Sequence, residues 1–224
     1  MGKAVAYHLG EYRVQGVNEQ FLPPRFLDSL TPASRVVDIG CGAGQTLQRL
    51  RPYGPSEFVG VDADLSALAL GCLMDEGSAQ PIRFVRGSAE TLPFDDSQFT
   101  QAICRVAINY MHQGRALREM VRVLRPGGLL CLRVEGPGFD WRLARAAPNG
   151  RALVCRLRDA AVGITLALTG WQPAPGGRFS GGRAFGTVRR FKTLLAQAGC
   201  EVVEWEPAGL QGSLLVGFNM LAKR

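Results

Sequence analysis

The stretch VVDIGCGAGQTL, residues 36–47, decides how the rest of the chain is read. Valines and an isoleucine frame Asp38 in the pattern of a short buried strand. Glycines follow at 40, 42 and 44, and a helix-forming run opens at once with Gln45. Glycines there let the chain turn sharply while a ligand approaches the backbone closely. The helix start behind them offers unpaired N–H groups to polar ligand atoms. The spacing is G-x-G-x-G, not the G-x-G-x-x-G of dinucleotide sites, which argues against a nicotinamide cofactor. Taken alone, the loop also fits a tight strand-to-helix turn and nothing more.

Outward from this loop, strand-like and helix-like segments alternate. Strands are predicted at 35–40, 57–62, 81–87, 99–106 and 128–136, with helices after the first and second. A helix over GRALREMVRVLRPGG carries Leu117, Met120, Val121 and Leu124 on one face and stops at Pro126-Gly127-Gly128. Such alternation predicts a parallel sheet covered on both faces, with binding at the carboxyl ends of its strands. The rhythm breaks at 137–183. One long helix is expected there, with Leu153, Leu157, Ala161, Ile164 and Leu168 on a single face, followed by the loop QPAPGGRFSGGR. A helix and two strands (200–206 and 213–221) close the chain, joined by PAGLQG in an antiparallel return. Residues 1–30 read as a helical cap on a single domain spanning 1–224.

Composition fits that picture. With 224 residues, 46% hydrophobic and 20% charged, the chain can bury a real core. No run reaches the roughly 18–20 apolar residues of a membrane span, and no leader pattern opens the chain, so a cytoplasmic protein is expected. The six cysteines (41, 72, 104, 131, 155, 200) stand singly, as reduced core residues rather than metal ligands. The net charge of +7 comes almost wholly from arginine, only Lys3, Lys192 and Lys223 being lysines. The arginines are scattered and form no tract. An acidic substrate fits them, and nucleic acid is not the expected partner.

Asp62 ends the second strand about twenty residues past the glycines, where a carboxylate can accept from both hydroxyls of a ribose. A helix N-cap is the competing role. Ala63 beside it is small enough to lie against a purine. With GSAETLPFDDSQF (87–99) and REMVRVLRPGGLLCLRV (118–134), the loop and GVDADLSAL (60–68) complete four ordered motifs. Together they resemble the class I S-adenosylmethionine-dependent methyltransferases, and most of all the small enzymes similar to the ubiquinone/menaquinone-biosynthesis group. The resemblance covers about 34–135 and the general shape of 184–224. It implies a Rossmann-like α/β fold with a seven-stranded, mostly parallel sheet, an antiparallel last strand and a helical insertion after strand five.

It also implies S-adenosyl-L-methionine as cofactor. Asp38, Gly40, Cys41, Gly42 and Gly44 would hold its methionine part, Asp62 the ribose and Ala63 the adenine face. Ser88, Ala89 and Glu90 would meet the adenine edge, with Arg105 beside the cofactor at the tip of strand four. Serine stands at 88 where such enzymes usually have aspartate, and a hydroxyl accepts the adenine amino group less strongly. Gln98-Phe99-Thr100 replaces their usual Ser-Phe-Asp.

A sulfonium donor leaves the protein mainly the tasks of alignment and water exclusion; a hydroxyl acceptor would add the need for a base. Tyr110 and His112 are the catalytic candidates, the first for cation–π contact, the second as a base, against ordinary packing and helix capping. Glu135 and Asp140 can also serve as base. Arg13, in the N-terminal segment, can pair with the cofactor carboxylate. The insertion at 137–183 supplies Phe139, Trp141, Trp171 and Phe179 as a wall or lid for a hydrophobic small molecule, or as a homodimer surface. The arginine excess keeps an RNA-directed methyltransferase as the alternative, and a binding scaffold without transfer as a third reading.

Overall fold

A computed structural model of the chain describes residues 22–172, 183–211 and 214–224. Arg13, the rest of the first 21 residues, and Phe179 lie outside the described residues. A short helix α1 (Pro24–Asp28) leads to β1 (Arg35–Ile39), α2 (Gln45–Leu50), β2 (Glu57–Asp62), α3 (Leu65–Asp75) and β3 (Ile82–Arg86). The middle of the chain gives β4 (Phe99–Arg105), α4 (Gln113–Arg122), β5 (Leu124–Glu135), α5 (Pro137–Arg145) and α6 (Gly150–Thr169). After α7 (Val188–Gln197) come β6 (Glu201–Pro207), a small ribbon of β7 (Leu210–Gln211) and β8 (Leu214–Leu215), and β9 (Gly217–Lys223).

Seven strands form one sheet in the order β3-β2-β1-β4-β5-β9-β6. The first five run parallel, and β9 is antiparallel to both its neighbours. This is the expected Rossmann-like α/β sheet with an antiparallel last strand. Chain order reverses between β1 and β4, so their carboxyl ends open a crevice at the switch point. Side chains of β1 alternate between the two layers: Val37 and Ile39 join one core with Leu117, Met120, Phe191 and Phe218. Val36 joins the other, with Phe26, Leu47, Phe58 and Leu221.

Helix starts follow local chemistry. Asp64, not Asp62, caps α3, its Oδ1 accepting from Ser66 N–H at 2.8 Å. Asn149 and Thr187 cap α6 and α7 in the same way. Gly170, at φ +74°, ends α6.

Two expectations need correction. Helix α4 stops at Arg122, because Leu124 pairs with Phe99 and already belongs to β5; Pro126-Gly127 bulges within that strand. The predicted last strand at 213–221 is split between β8 and β9, and pairing in the sheet begins only at Gly217. The long helix α6 forms as expected, with the predicted stripe turned outward. Leu153, Leu157, Ala161, Ile164 and Leu168 are exposed, while Asp159, Gly163 and Leu166 are buried. Gly163 explains the orientation: a Cβ there would lie 2.2 Å from the Phe185 ring, so the helix closes on Phe185 through its smallest residue.

Candidate active site

The glycine loop is stitched to the neighbouring strand by its backbone. Gly40 and Cys41 N–H both donate to the Val61 carbonyl, at 2.8 and 3.2 Å. All three loop glycines have positive φ, between 56° and 82°, where side chains are disfavoured. Contact adds to the requirement at Gly40, since a Cβ there would sit 2.2 Å from Ala107 Cβ at the tip of β4. Cys41 is turned under the loop, its thiol donating to the Gly42 carbonyl and packing against Gly60. Burial pushes that thiol well above its ordinary range, so it stays protonated.

Asp62 closes the other side. Its Oδ2 accepts from Gly42 N–H at 2.8 Å and its Oδ1 from Asp64 N–H at 2.9 Å. One carboxylate therefore ties the loop to the end of β2 and keeps lone pairs toward the crevice. A cleft of about 270 Å³ lies beside it, bordered by Gly40, Asp62, Ala63, Ser88–Glu90, Ala107, Tyr110 and Met111. Ser88 accepts from Glu90 N–H, and Glu90 in turn accepts from His112 N–H at 2.9 Å.

His112 caps α4, its Nδ1 accepting from Arg115 N–H at 3.4 Å. It does not border the cleft, whereas Tyr110, 67% exposed, stands on its rim. Asp38 lies below the loop, nearly sealed from solvent. Burial raises its carboxyl to about 7, against the pull of the Arg105 guanidinium. Arg105 reaches Thr46 Oγ1 at 3.4 Å.

Beyond the cleft, the segment 183–186 crosses the end of β5. Ala184 N–H donates to the Asn109 carbonyl, and Asn109 Nδ2 donates to the carbonyls of Glu135 and Ala184, both at 2.9 Å. Arg183 is buried between Glu135 and Asp140 and bonded to both, with its guanidinium over the Phe139 ring at 4.4 Å. The two carboxylates named above as candidate bases are thus a clamp on one arginine. Burial still raises the Glu135 carboxyl, with Arg183 opposing.

Sequence reading gave no sign of Arg183, Ala107, Met111 or Val106. Val106 adopts φ +65° at the tip of β4, an uncommon backbone for a β-branched residue, held by its N–H bond to the Arg133 carbonyl at 2.7 Å. Glycine is the usual signal for such a turn, and here it is missing.

Residues 37–132 match the family model described as a methyltransferase domain. The matched segment runs from β1 into β5 and so contains the loop, Asp62 and the cleft, while the insertion and the last strands fall outside the match. The chain is 39% identical over 118 residues to a ubiquinone/menaquinone biosynthesis C-methyltransferase of Ectopseudomonas mendocina, covering 50% of this chain and 46% of the relative. It thus spans about half the length of the curated relatives it matches. An S-adenosylmethionine-dependent methyltransferase from Methanosarcina mazei shares the fold at TM-score 0.66 and 22% identity, over 91% of this chain and 98% of the other. The [4+2]-cyclase SpnF also shares it, at TM-score 0.56 and 19% identity, over 89% and 80% of the two chains. A shared fold therefore leaves the chemistry to the site residues.

Proposed function

We propose that the chain binds S-adenosyl-L-methionine in this cleft and transfers its methyl group to an apolar small molecule. The observation that carries the reading is the Asp62 carboxylate, fixed by two backbone N–H groups at the mouth of a glycine cradle where a Cβ at Gly40 or Gly44 would collide with Ala107 or Phe84. Those residues fit a nucleoside. Asp62 accepts the ribose hydroxyls, Ala63 lies on the adenine, and Ser88, Ala89 and Glu90 take its edge. Gly40, Gly42 and Gly44 present backbone to the methionine part, over Cys41. Asp38 and Arg105 face its ammonium and carboxylate.

S-adenosylmethionine supplies an electrophilic methyl carbon with a neutral leaving group. The chain's own work is to hold the acceptor in line behind that carbon and to exclude water. Tyr110 on the rim flanks the reacting centre with its ring. His112 acts through position, presenting its N–H to Glu90 and capping α4. The ionisable side chains bordering the cleft are Asp62, Glu90 and Tyr110, and both carboxylates already accept backbone N–H groups. With no base held free there among the described residues, the favoured acceptor is an electron-rich ring carbon or an amine rather than an alcohol. The inward side of the insertion forms the acceptor side.

The test combines thermal shift with product detection. S-adenosylmethionine raises the melting temperature, NADH does not, and S-adenosylhomocysteine appears when a panel of apolar acceptors is added. The shift also depends on pH. Because Asp38 is raised to about 7 in the unliganded fold, it binds a proton there that the unfolded chain has released. Its contribution to stability is present below about pH 4 and lost as pH rises through 7. A cationic ligand favours the ionised carboxylate, so the shift grows from about pH 5.5 to 7.5 in the wild type and flattens in Asp38→Asn. No shift at any pH sinks the cofactor assignment; a shift with the same pH slope in Asp38→Asn sinks the role of Asp38.

A further inference from the structure

The outward face of α6 is a surface that the methyl-transfer reading does not use. Leu153, Leu157, Ala161, Ile164 and Leu168 form a continuous stripe along a 20-residue helix, with Val154 beside it. All six are exposed, Leu168 by 81%. Trp141 on α5, which packs on α6, and Trp171 just past the α6 C-terminus are exposed as well. An apolar row of this length on one helix is more than the scattered hydrophobic residues of an ordinary surface.

The charges around it are of one sign. Residues 137–172 contain five arginines and two acids. Asp140 is buried against Arg183, and Asp159 is buried beside Arg156 at 3.5 Å. Arg142, Arg145, Arg151 and Arg158 are exposed and have no ion pair among the described residues. On the helix, Arg151 and Arg158 lie along one border of the stripe and Arg156 on the other, by the 3.6-residue turn.

We propose that the outward face of α6, with Trp141 and Trp171, docks on the surface of an anionic lipid bilayer. A helix that is apolar on one face, arginine-bordered, and without an exposed acid suits the boundary between headgroups and acyl chains. Its leucines enter the acyl region, the arginines meet lipid phosphates, and the tryptophans sit at headgroup level. Charge decides against a second copy of the chain as the occupant, because two such faces would bring their arginines together. The helix lies along the surface; among the described residues no helix is long and apolar enough to cross a membrane. Docking would turn the side of the molecule that carries α5 and α6, next to the end of β5, toward the lipid.

The experiment is co-sedimentation of the full chain with vesicles, which requires no turnover and so stands apart from the methyl-transfer reading. Vesicles of phosphatidylcholine with phosphatidylglycerol should carry the protein down, more weakly as salt rises, with a blue shift of tryptophan emission. Vesicles of phosphatidylcholine alone should carry down little. Leu157→Glu with Ile164→Glu should lower the bound fraction at least about tenfold at an unchanged melting temperature, since both side chains are exposed. Arg151→Gln with Arg158→Gln should weaken binding and flatten its salt dependence. The proposal is overturned if wild type ignores anionic vesicles at low salt, or if the double-glutamate variant binds them equally well. It is also overturned if wild type is a dimer in solution, the double-glutamate variant is a monomer, and neither binds lipid.

Discussion

Arg183→Met should destabilise the protein by about 3–5 kcal/mol, the largest effect expected of any single substitution considered. The arginine is 2% exposed, bonded to Glu135 and Asp140 and stacked on Phe139. Methionine matches much of its volume but leaves two carboxylates buried without a cation. Burial then drives both to hold protons in the folded state, reinforcing the upward direction already present at Glu135. Folded pKa values above the unfolded ones mean that stability is lost as pH rises, so the deficit should be larger at pH 8 than at pH 5. Urea denaturation at both values checks the sign. Adding Glu135→Gln and Asp140→Asn to Arg183→Met should recover much of the loss. A cost below about 1 kcal/mol, flat with pH, would mean that the cluster is solvated and does not hold segment 183–186 to β5.

The second large effect concerns the ligand. Asp62→Ala should weaken S-adenosylhomocysteine binding by about 2–3 kcal/mol, roughly 30- to 150-fold, measured by calorimetry. Two losses combine: the acceptor for the ribose hydroxyls, and the bond to Gly42 N–H that fixes the loop. Asp64→Ala is the natural control. It removes the α3 cap at a cost of about 1 kcal/mol in stability while leaving the ribose acceptor in place. Equal affinities in wild type and Asp62→Ala would remove the nucleoside from this end of the cleft.

The part of the molecule built from local chemistry was legible in the sequence. The glycine loop, the carboxylate after β2 and the alternation of strands and helices each follow from a short run of residues, and the fold follows from them. Where distant segments decide, reading failed. Nothing within REMVRVLRPGG says that Leu124 will prefer Phe99 across the sheet to one more helical turn. In α6 the 3.6-residue period of leucines gave the helix but not its facing. Gly163 and Asp159 held that information, as a small residue for close approach and a polar residue buried beside Arg156. The role of Glu135 was misjudged for the same reason, because its partner is 48 residues away.

The place of β9 has a bearing on how the chain is made. Residues 217–223 are the last of the seven strands in sequence, yet they occupy an inner position between β5 and β6. During vectorial synthesis, β5 and β6 must wait side by side with open hydrogen-bonding edges until that segment emerges. Such edges invite pairing with other nascent chains. The exposed Glu201 and Glu206 on β6, with the half-buried Glu204 between them, place like charges where a stray strand would have to dock.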